Sequence, residues 1–396
     1  MVTQDLWQAN HPKYFWQFQT DFSDEIWERA IQASLPTLEL NPEPENRSNF
    51  LSNTVGEGQF GSKRYQLSLC KRLYYLVKPL LPRSLIEQLK STNARTAQSD
   101  FILHWPIEDR FVRFQWEVAR QLLNFTDQKK LTMRKFWPSG KNFAVVLTHD
   151  IETIDGQNFV MEVADLEERL GFRSSFNFVP ERYKLDYQLM NDLRDRGFEV
   201  GLHGLKHDGK LFKSETTFIN RSRVINSYLI ELNAVGFRSP LMHRNPEWMQ
   251  SLNIEYDLSF FDTDPFEPMP GGSMTIWPYT IGNFIELPYT LVQDSTLGPV
   301  LGETTPNLWL EKLDFIKKYC GMALVNTHPD YLQEPKIWDI YFKFLSTLRI
   351  QDNYWQALPR EVARWWRKRA ETPSGQESSD ITLGTISIEN DQIQII

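Results

Sequence analysis

The sequence predicts an α/β fold, an irregular (β/α) barrel over about residues 140–370, preceded by a mostly helical accessory region over about residues 1–135. Three observations carry this. The unbroken apolar run Phe143-Ala144-Val145-Val146-Leu147 has the pattern of a strand buried on both faces of a parallel sheet. Similar runs then alternate with segments whose apolar residues recur every three or four positions, and repeated β-α units imply a parallel sheet, closed or nearly closed. The 396 residues exceed a usual domain of ~100–200, while one such barrel can reach ~250, so one large domain and a smaller part are expected.

Taken in order, helical spacing marks Leu85 to Leu89 and Phe111 to Leu123, with a loop-like stretch from Asn41 to Gly61. The aromatics of this first region are read as core or lid rather than as a substrate groove. After the strand at Phe143, helices are expected over Phe159–Leu170, Leu189–Leu193 and Phe218–Leu232, and strands over Ser175–Val179, Phe198–Leu202 and Phe237–Ser239. Gly171, Gly197 and Gly236, past the three helices, are expected left-handed caps. Leu310–Tyr319 reads as helix, Met322–Val325 as strand, Ile337–Leu348 as helix and Arg360–Arg369 as a last, basic helix. Residues 373–396 form a linker (Pro373–Ser379) and a polar, β-branched tail (Ile381–Ile396) suited to an edge strand.

Composition excludes several classes. Hydrophobic residues at 41% and aromatics at 13% suffice for a sizeable core, against disorder. Lys and Arg total 43 against 51 Asp and Glu, and the net charge of −8 repels a phosphate backbone, so nucleic acid is not an expected partner. Two distant cysteines, Cys70 and Cys320, suggest neither a disulfide framework nor a metal cluster, and each is read as a small buried hydrophobe. No signal peptide or transmembrane stretch is apparent, so a cytoplasmic location is expected. The oligomeric state is not set by the sequence.

The candidate chemistry falls at predicted strand ends. Thr148-His149-Asp150-Ile151-Glu152 follows the first strand, His203 and His207 the third, Arg238 ends the fourth, and His328 follows the late strand through Leu324. Barrel enzymes gather catalytic groups at the C-terminal ends of their strands, so these segments would converge. His203 and His207, four apart, would share one side of a helical turn and could bind one metal. A carboxylate from Asp150 or Glu152 would complete a two-histidine, one-carboxylate set with open positions for water and substrate. Each residue also has a plain structural reading: capping histidines, a helix-capping Asp150, an Arg238 ion pair, or a core His328 beside Asp330. Their placement at successive strand ends favours a shared site, as does the presence of five of the seven histidines (149, 203, 207, 243 and 328) between residues 149 and 328.

The ordered set resembles the polysaccharide deacetylases, the NodB-homology carbohydrate esterases. That family shows a Thr-Phe-Asp-Asp motif, His-x-x-x-His, Arg-x-Pro, Asp-x-Ser and a late Leu-x-His. Here they correspond to Thr148–Glu152, His203–His207, Arg238-Ser239-Pro240, Asp257-Leu258-Ser259 and Val325-Asn326-Thr327-His328, across about residues 140 to 360. The resemblance implies the deacetylase type of barrel, with Asp150 as general base, Arg238 orienting it, His203 and His207 as metal ligands, and His328 protonating the leaving amine. It also implies a divalent metal ion, expected to be zinc. The second aspartate of the first motif, normally a ligand, is replaced by Ile151; Glu152 is assigned the metal instead, with Asp150 the alternative ligand. Leu241 stands where the family has the tyrosine whose backbone amide helps form the oxyanion hole. The implied activity is hydrolysis of a non-peptide C–N bond, N-deacetylation of a sugar in a polysaccharide or its precursor. Rival readings are a cyclic imide or ureide amidohydrolase on the same site, and an inactive carbohydrate-binding homologue.

Overall fold

The computed structural model describes residues 5–40, 49–67, 71, 96–372, 379–389 and 392–395. The expectations for Cys70, for Leu85 to Leu89, and for the parts of the early loop and late linker at 41–48 and 373–378 lie outside the described residues.

Strand β1 (Lys130–Arg134) precedes the barrel strands. These are β2 (Phe143–Ile151), β3 (Ser175–Phe178), β4 (Glu199–His203), β5 (Gly236–Arg238), β6 (Tyr256–Asp257), β7 (Tyr279–Ile281), β8 (Phe284–Glu286), β9 (Met322–Thr327) and β10 (Tyr354–Gln356). β2, β3, β4, β5, β6 and β8 lie side by side and parallel, β9 runs parallel along the other edge of β2, β10 pairs with the start of β2, and β7 is antiparallel to β8. A bridge from Leu291 to Val325 joins the β8 end of the curled sheet to β9, and one from Phe261 to Tyr289 continues the pairing of β6 with β8. The expected irregular barrel of parallel strands is therefore what the chain forms. β2 is buried along its whole length, and its apolar stem passes into the polar tip Thr148-His149-Asp150, which puts the chemistry at the C-terminal end.

Helices α1 (Asp24–Ser34) and α2 (Arg110–Thr126) belong to the leading region, and α3 (Val160–Leu170), α4 (Tyr187–Asp195), α5 (Glu215–Glu231), α6 (Asn307–Lys318), α7 (Pro335–Arg349) and α8 (Pro359–Glu371) follow. Asp186 caps α4 and Ser214 caps α5, each accepting a backbone N–H from the first turn. Gly171 and Gly197 take the left-handed conformation expected of them, with φ of 88° and 85°. Gly236 does not: Asn233, with φ of 44°, lies past the end of α5 and takes the left-handed conformation. Gly236 is instead the first residue of β5, where a Cβ would come within 1.9 Å of Tyr256.

The tail supplies the expected edge strand, in a sheet apart from the barrel: β11 (Leu383–Glu389) lies between β1 and the edge strand β12 (Gln392–Ile395) in a three-stranded antiparallel sheet. Cys320 is only partly buried, has φ of 54°, and its carbonyl accepts the indole N–H of both Trp137 and Trp277. Among the described residues no helix is long and apolar enough to cross a membrane.

Aromatics of the leading region enter one continuous core: Phe15 meets Trp277 edge-on at 4.9 Å, and Trp116 stacks on it at 5.6 Å. A buried ion pair fastens the same region to the barrel. Glu57, 1% exposed, takes Arg244 Nε at 2.7 Å and Nη2 at 2.5 Å, and also accepts Gly272 N–H at 2.8 Å. Removing one member of such a pair leaves a buried charge unmatched, so Glu57→Ala is expected to lose about 3–5 kcal/mol of stability. In urea denaturation Asp339→Ala, at the half-exposed Lys343–Asp339 pair, should change it by less than about 1 kcal/mol.

Candidate functional site

Side chains alternate along a strand, so Asp150 and Glu152 share one face of β2 and its extension, while His149 and Ile151 face the other way. His149 is a satisfied core residue: Nδ1 lies 2.7 Å from Thr327 Oγ1 and Nε2 2.8 Å from Glu167 Oε1. Ile151 is fully buried. The replacement of an acidic residue by isoleucine thus falls on the core side, and the carboxylate two positions after Asp150 is the one that reaches the cluster.

His203 ends β4. His207 comes back beside it through a turn rather than the helical turn that its spacing suggested, with φ of 64° at Gly204 and 52° at His207. Glycine is needed at 204, since a Cβ would lie 2.3 Å from the ring of Pro240 in the Arg238-Ser239-Pro240 motif. The two imidazoles end 5.2 Å apart between ring centres. Glu152 Oε1 is the hub of the group, 2.9 Å from His207 Nε2, 3.8 Å from His203 Nε2 and 3.8 Å from His328 Nε2.

Both ring nitrogens of His203 and Nε2 of His207 are buried without a hydrogen-bond partner; the His207–Glu152 approach is close but out of line for one. Buried polar atoms are normally satisfied, so the open Nε2 atoms of His203 and His207, both beside the Glu152 carboxylate, point to a common partner. Donor atoms of Glu152, His203 and His207 lie within 4.8 Å of one another, and the set fits one divalent ion at bond lengths of ~2.0–2.2 Å. Burial holds His203 below its ordinary value against the pull of Asp150, which favours the neutral, ligating ring. Burial alone would raise Glu152, but His207 and His203 keep its carboxyl well below the usual range.

Asp150 sits deeper, 2% exposed. Its Oδ1 accepts from Arg238 Nη1 at 3.0 Å and Asn177 Nδ2 at 3.1 Å, its Oδ2 accepts from Asn326 Nδ2 at 2.9 Å, and His203 Nδ1 is 3.8 Å from Oδ2. Burial works against the charge, yet Arg238, His203, His328 and the Asn326 bond together hold the carboxyl below its ordinary value. Arg238 also donates to Leu258 O and Thr148 Oγ1, both at 3.0 Å. The Asp257-Leu258-Ser259 motif braces this loop: Ser259 Oγ donates to Asp257 and accepts the Ser239 N–H at 2.8 Å.

His328 follows β9 directly. Its Nδ1 lies 2.7 Å from Asp294 Oδ1 and its N–H donates to Asp294 Oδ2 at 2.8 Å, so its partner is Asp294 and not the adjacent Asp330. Burial would lower this imidazole, but the Asp294 carboxylate, helped by Glu152 and Asp150, raises it to about 10. The fold thus brings Asp150, Glu152, His203, His207, Arg238 and His328 together. Sequence reading passed over Asp294, Asn177 and Asn326. Asn326, two before His328 on one strand face, and Asn177, alternating with Ser175, carried a period-two signal; Asp294, 34 residues from His328, carried none.

No family model matches the chain. The resemblance to the polysaccharide deacetylases is borne out by chitin deacetylase 8 of Bombyx mori, 27% identical over 176 residues, covering 39% of this chain and 43% of that protein. The chain thus spans less than half the length of that relative. Among solved structures, a Mycobacterium smegmatis protein described as a polysaccharide deacetylase aligns at a TM-score of 0.49 and 20% identity, over 61% of this chain and 96% of the other. An allantoinase aligns at 0.49 and 14%, over 59% of this chain and 92% of the other.

The His328–Asp294 pair gives a pH dependence of definite sign. The folded value of about 10 lies above the ordinary 6.5, so the pair's contribution is complete below about 6.5 and is lost as pH rises through 10. Denaturation midpoints measured across that range should fall more steeply for the wild type than for His328→Asn.

Proposed function

We propose that the chain is a metal-dependent hydrolase of non-peptide C–N bonds that removes the acetyl group from an N-acetylated sugar, in a polysaccharide or its precursor. The observation that carries this is the arrangement around Glu152: a three-donor set, with a deprotonated carboxylate at Asp150 and an imidazolium at His328 on either hand. The chitin deacetylase relative, by its name, acts on such a substrate.

Glu152, His203 and His207 would hold the ion, expected to be zinc, which when bound supplies Lewis acidity towards water and the amide carbonyl. Asp150 accepts the proton of the attacking water at Oδ2, the oxygen with a single hydrogen bond. Arg238, Asn177 and Asn326 keep that carboxylate charged and aimed beforehand, so no reorganisation is needed as charge develops. The resemblance assigns the backbone N–H of Leu241 to the developing oxyanion, a contribution of ~3 kcal/mol in comparable sites. His328 Nε2 gives its proton to the departing nitrogen, while Asp294 holds the ring through Nδ1. Acetate and a free amine leave, and the proton on Asp150 returns to solvent as His328 is recharged.

A second reading has its own observation. His203, His207 and His328 side chains are 3%, 9% and 6% exposed and Glu152 24%, an enclosure that favours a small amide such as a cyclic imide or ureide over a polymer. The inactive-homologue reading rested on Ile151, which points into the core, away from the donor set.

Elemental analysis should find about one metal per wild-type chain, lost in His203→Ala and in Glu152→Ala together with hydrolysis. Asp150→Asn should keep the metal and lose 10²-fold or more in kcat, roughly the worth of a positioned base. Chitooligosaccharides and a cyclic ureide tested side by side separate the two substrates, and a metal-free wild type after zinc supplementation would rule out both.

A further inference from the structure

A one-way relay of hydrogen bonds runs inward from a loop that the leading region holds in place. Asn326, fully buried, accepts Arg238 Nη1 at its Oδ1 at 2.5 Å. That contact fixes the sense of its amide, because a reversed amide would set N–H against a guanidinium. Its Nδ2 must then face Asp150 Oδ2 at 2.9 Å and Gln293 Oε1 at 3.0 Å. Gln293, 6% exposed, donates from Nε2 to Glu267 Oε1 at 2.5 Å, and Tyr289 OH shares its one proton between Asp264 Oδ2 at 2.8 Å and that same Glu267 oxygen at 3.0 Å. The guanidinium supplies only donors, so the Asn326 amide, and through it the Gln293 amide, has one allowed orientation, with Gln293 Nε2 turned to Glu267.

The Glu267 loop is itself clamped from outside the barrel. Lys71 Nζ donates to Pro268 O at 2.9 Å, Trp105 meets Phe266 edge-on at 5.0 Å, and Glu57 accepts the N–H of Gly272 at 2.8 Å. Gln293 immediately precedes Asp294, so one short segment supplies both the partner of His328 and the brace of Asn326.

Resting on the hydrolase reading, we infer that Gln293 and Glu267 are positioning residues for the base: together they lock the Asn326 amide that aims Asp150, and the leading region steadies them through the 266–272 loop. Among the described residues, the side-chain hydrogen bonds of Gln293 and Glu267 run to Asn326, to Tyr289 and to each other, and none runs to Glu152, His203 or His207. Among the described residues the relay's hydrogen bonds reach Asp150 through Asn326, so its loss misaims the carboxylate without removing it.

The test compares Gln293→Met, Glu267→Met and Glu267→Gln in the zinc-loaded 396-residue chain. Both Met variants break the relay and should lower kcat by roughly tenfold to a hundredfold, the cost of a small misplacement, with KM and metal content unchanged. Glu267→Gln keeps an acceptor oxygen for Gln293 and Tyr289 and should retain wild-type kcat. Should a Met variant not fold, Gln293→Asn, one methylene too short to span the gap, takes its place. A readout independent of turnover is the Asn326 side-chain amide in ¹⁵N NMR: two distinct, slowly exchanging protons in the wild type and in Glu267→Gln, and shifted, fast-exchanging ones in the Met variants. An inactive wild type that shows this NMR pattern overturns the hydrolase reading and leaves the relay standing. Unchanged Asn326 signals in the Met variants, or a kcat within twofold of wild type, overturn the relay.

Discussion

Asp150 and Arg238 are both closed off from water, and the arrangement of the site follows from that. A buried carboxylate and guanidinium are tolerated only where each is paired and its remaining hydrogen-bonding groups are met. Here the partners come from four strands: Thr148 and Asp150 on β2, Asn177 on β3, Arg238 on β5 and Asn326 on β9. Satisfying the pair therefore ties the strands at their C-terminal ends, and the same tie brings Glu152, His203 and His328 around one point. On the proposed function, the same bonds that satisfy the buried pair also hold the base charged and aimed beforehand.

The period of two along β2 explains how the site keeps a second carboxylate when its motif departs from the family pattern. Position 151 faces helices and core, so isoleucine is at home there; position 152 faces the cluster, so glutamate is useful there. Its side chain is longer than aspartate by one methylene, and this reach lets a single oxygen lie within 3.8 Å of three imidazoles.

The apolar runs of β2, β4 and β9 and the helical spacing of α2, α3 and α7 were legible because burial on a regular element leaves a period in the chain. The six site residues were legible because strand ends converge in a barrel. What was not legible was set by contacts distant in sequence. The turn that returns His207 to His203 depends on Gly204 passing Pro240; Gly236 answers to Tyr256 rather than to the helix before it; and the tail strand β11 finds β1, not the barrel edge. Asp294 opens a four-residue helix that Gln293 immediately precedes, neither carries a periodic signal, and only the fold shows that they face His328 and Asn326.

The central claim is a division of labour between two carboxylates two residues apart, one for the ion and one for the proton. Anomalous diffraction at the zinc absorption edge, from crystals of the zinc-loaded wild type, tests it most directly. The expected result is one peak ~2.0–2.2 Å from Glu152 Oε1 and from a ring nitrogen of each of His203 and His207, with Asp150 still bonded to Arg238 and Asn326. A peak bound by Asp150 in place of Glu152, or no peak among these residues, would contradict the account.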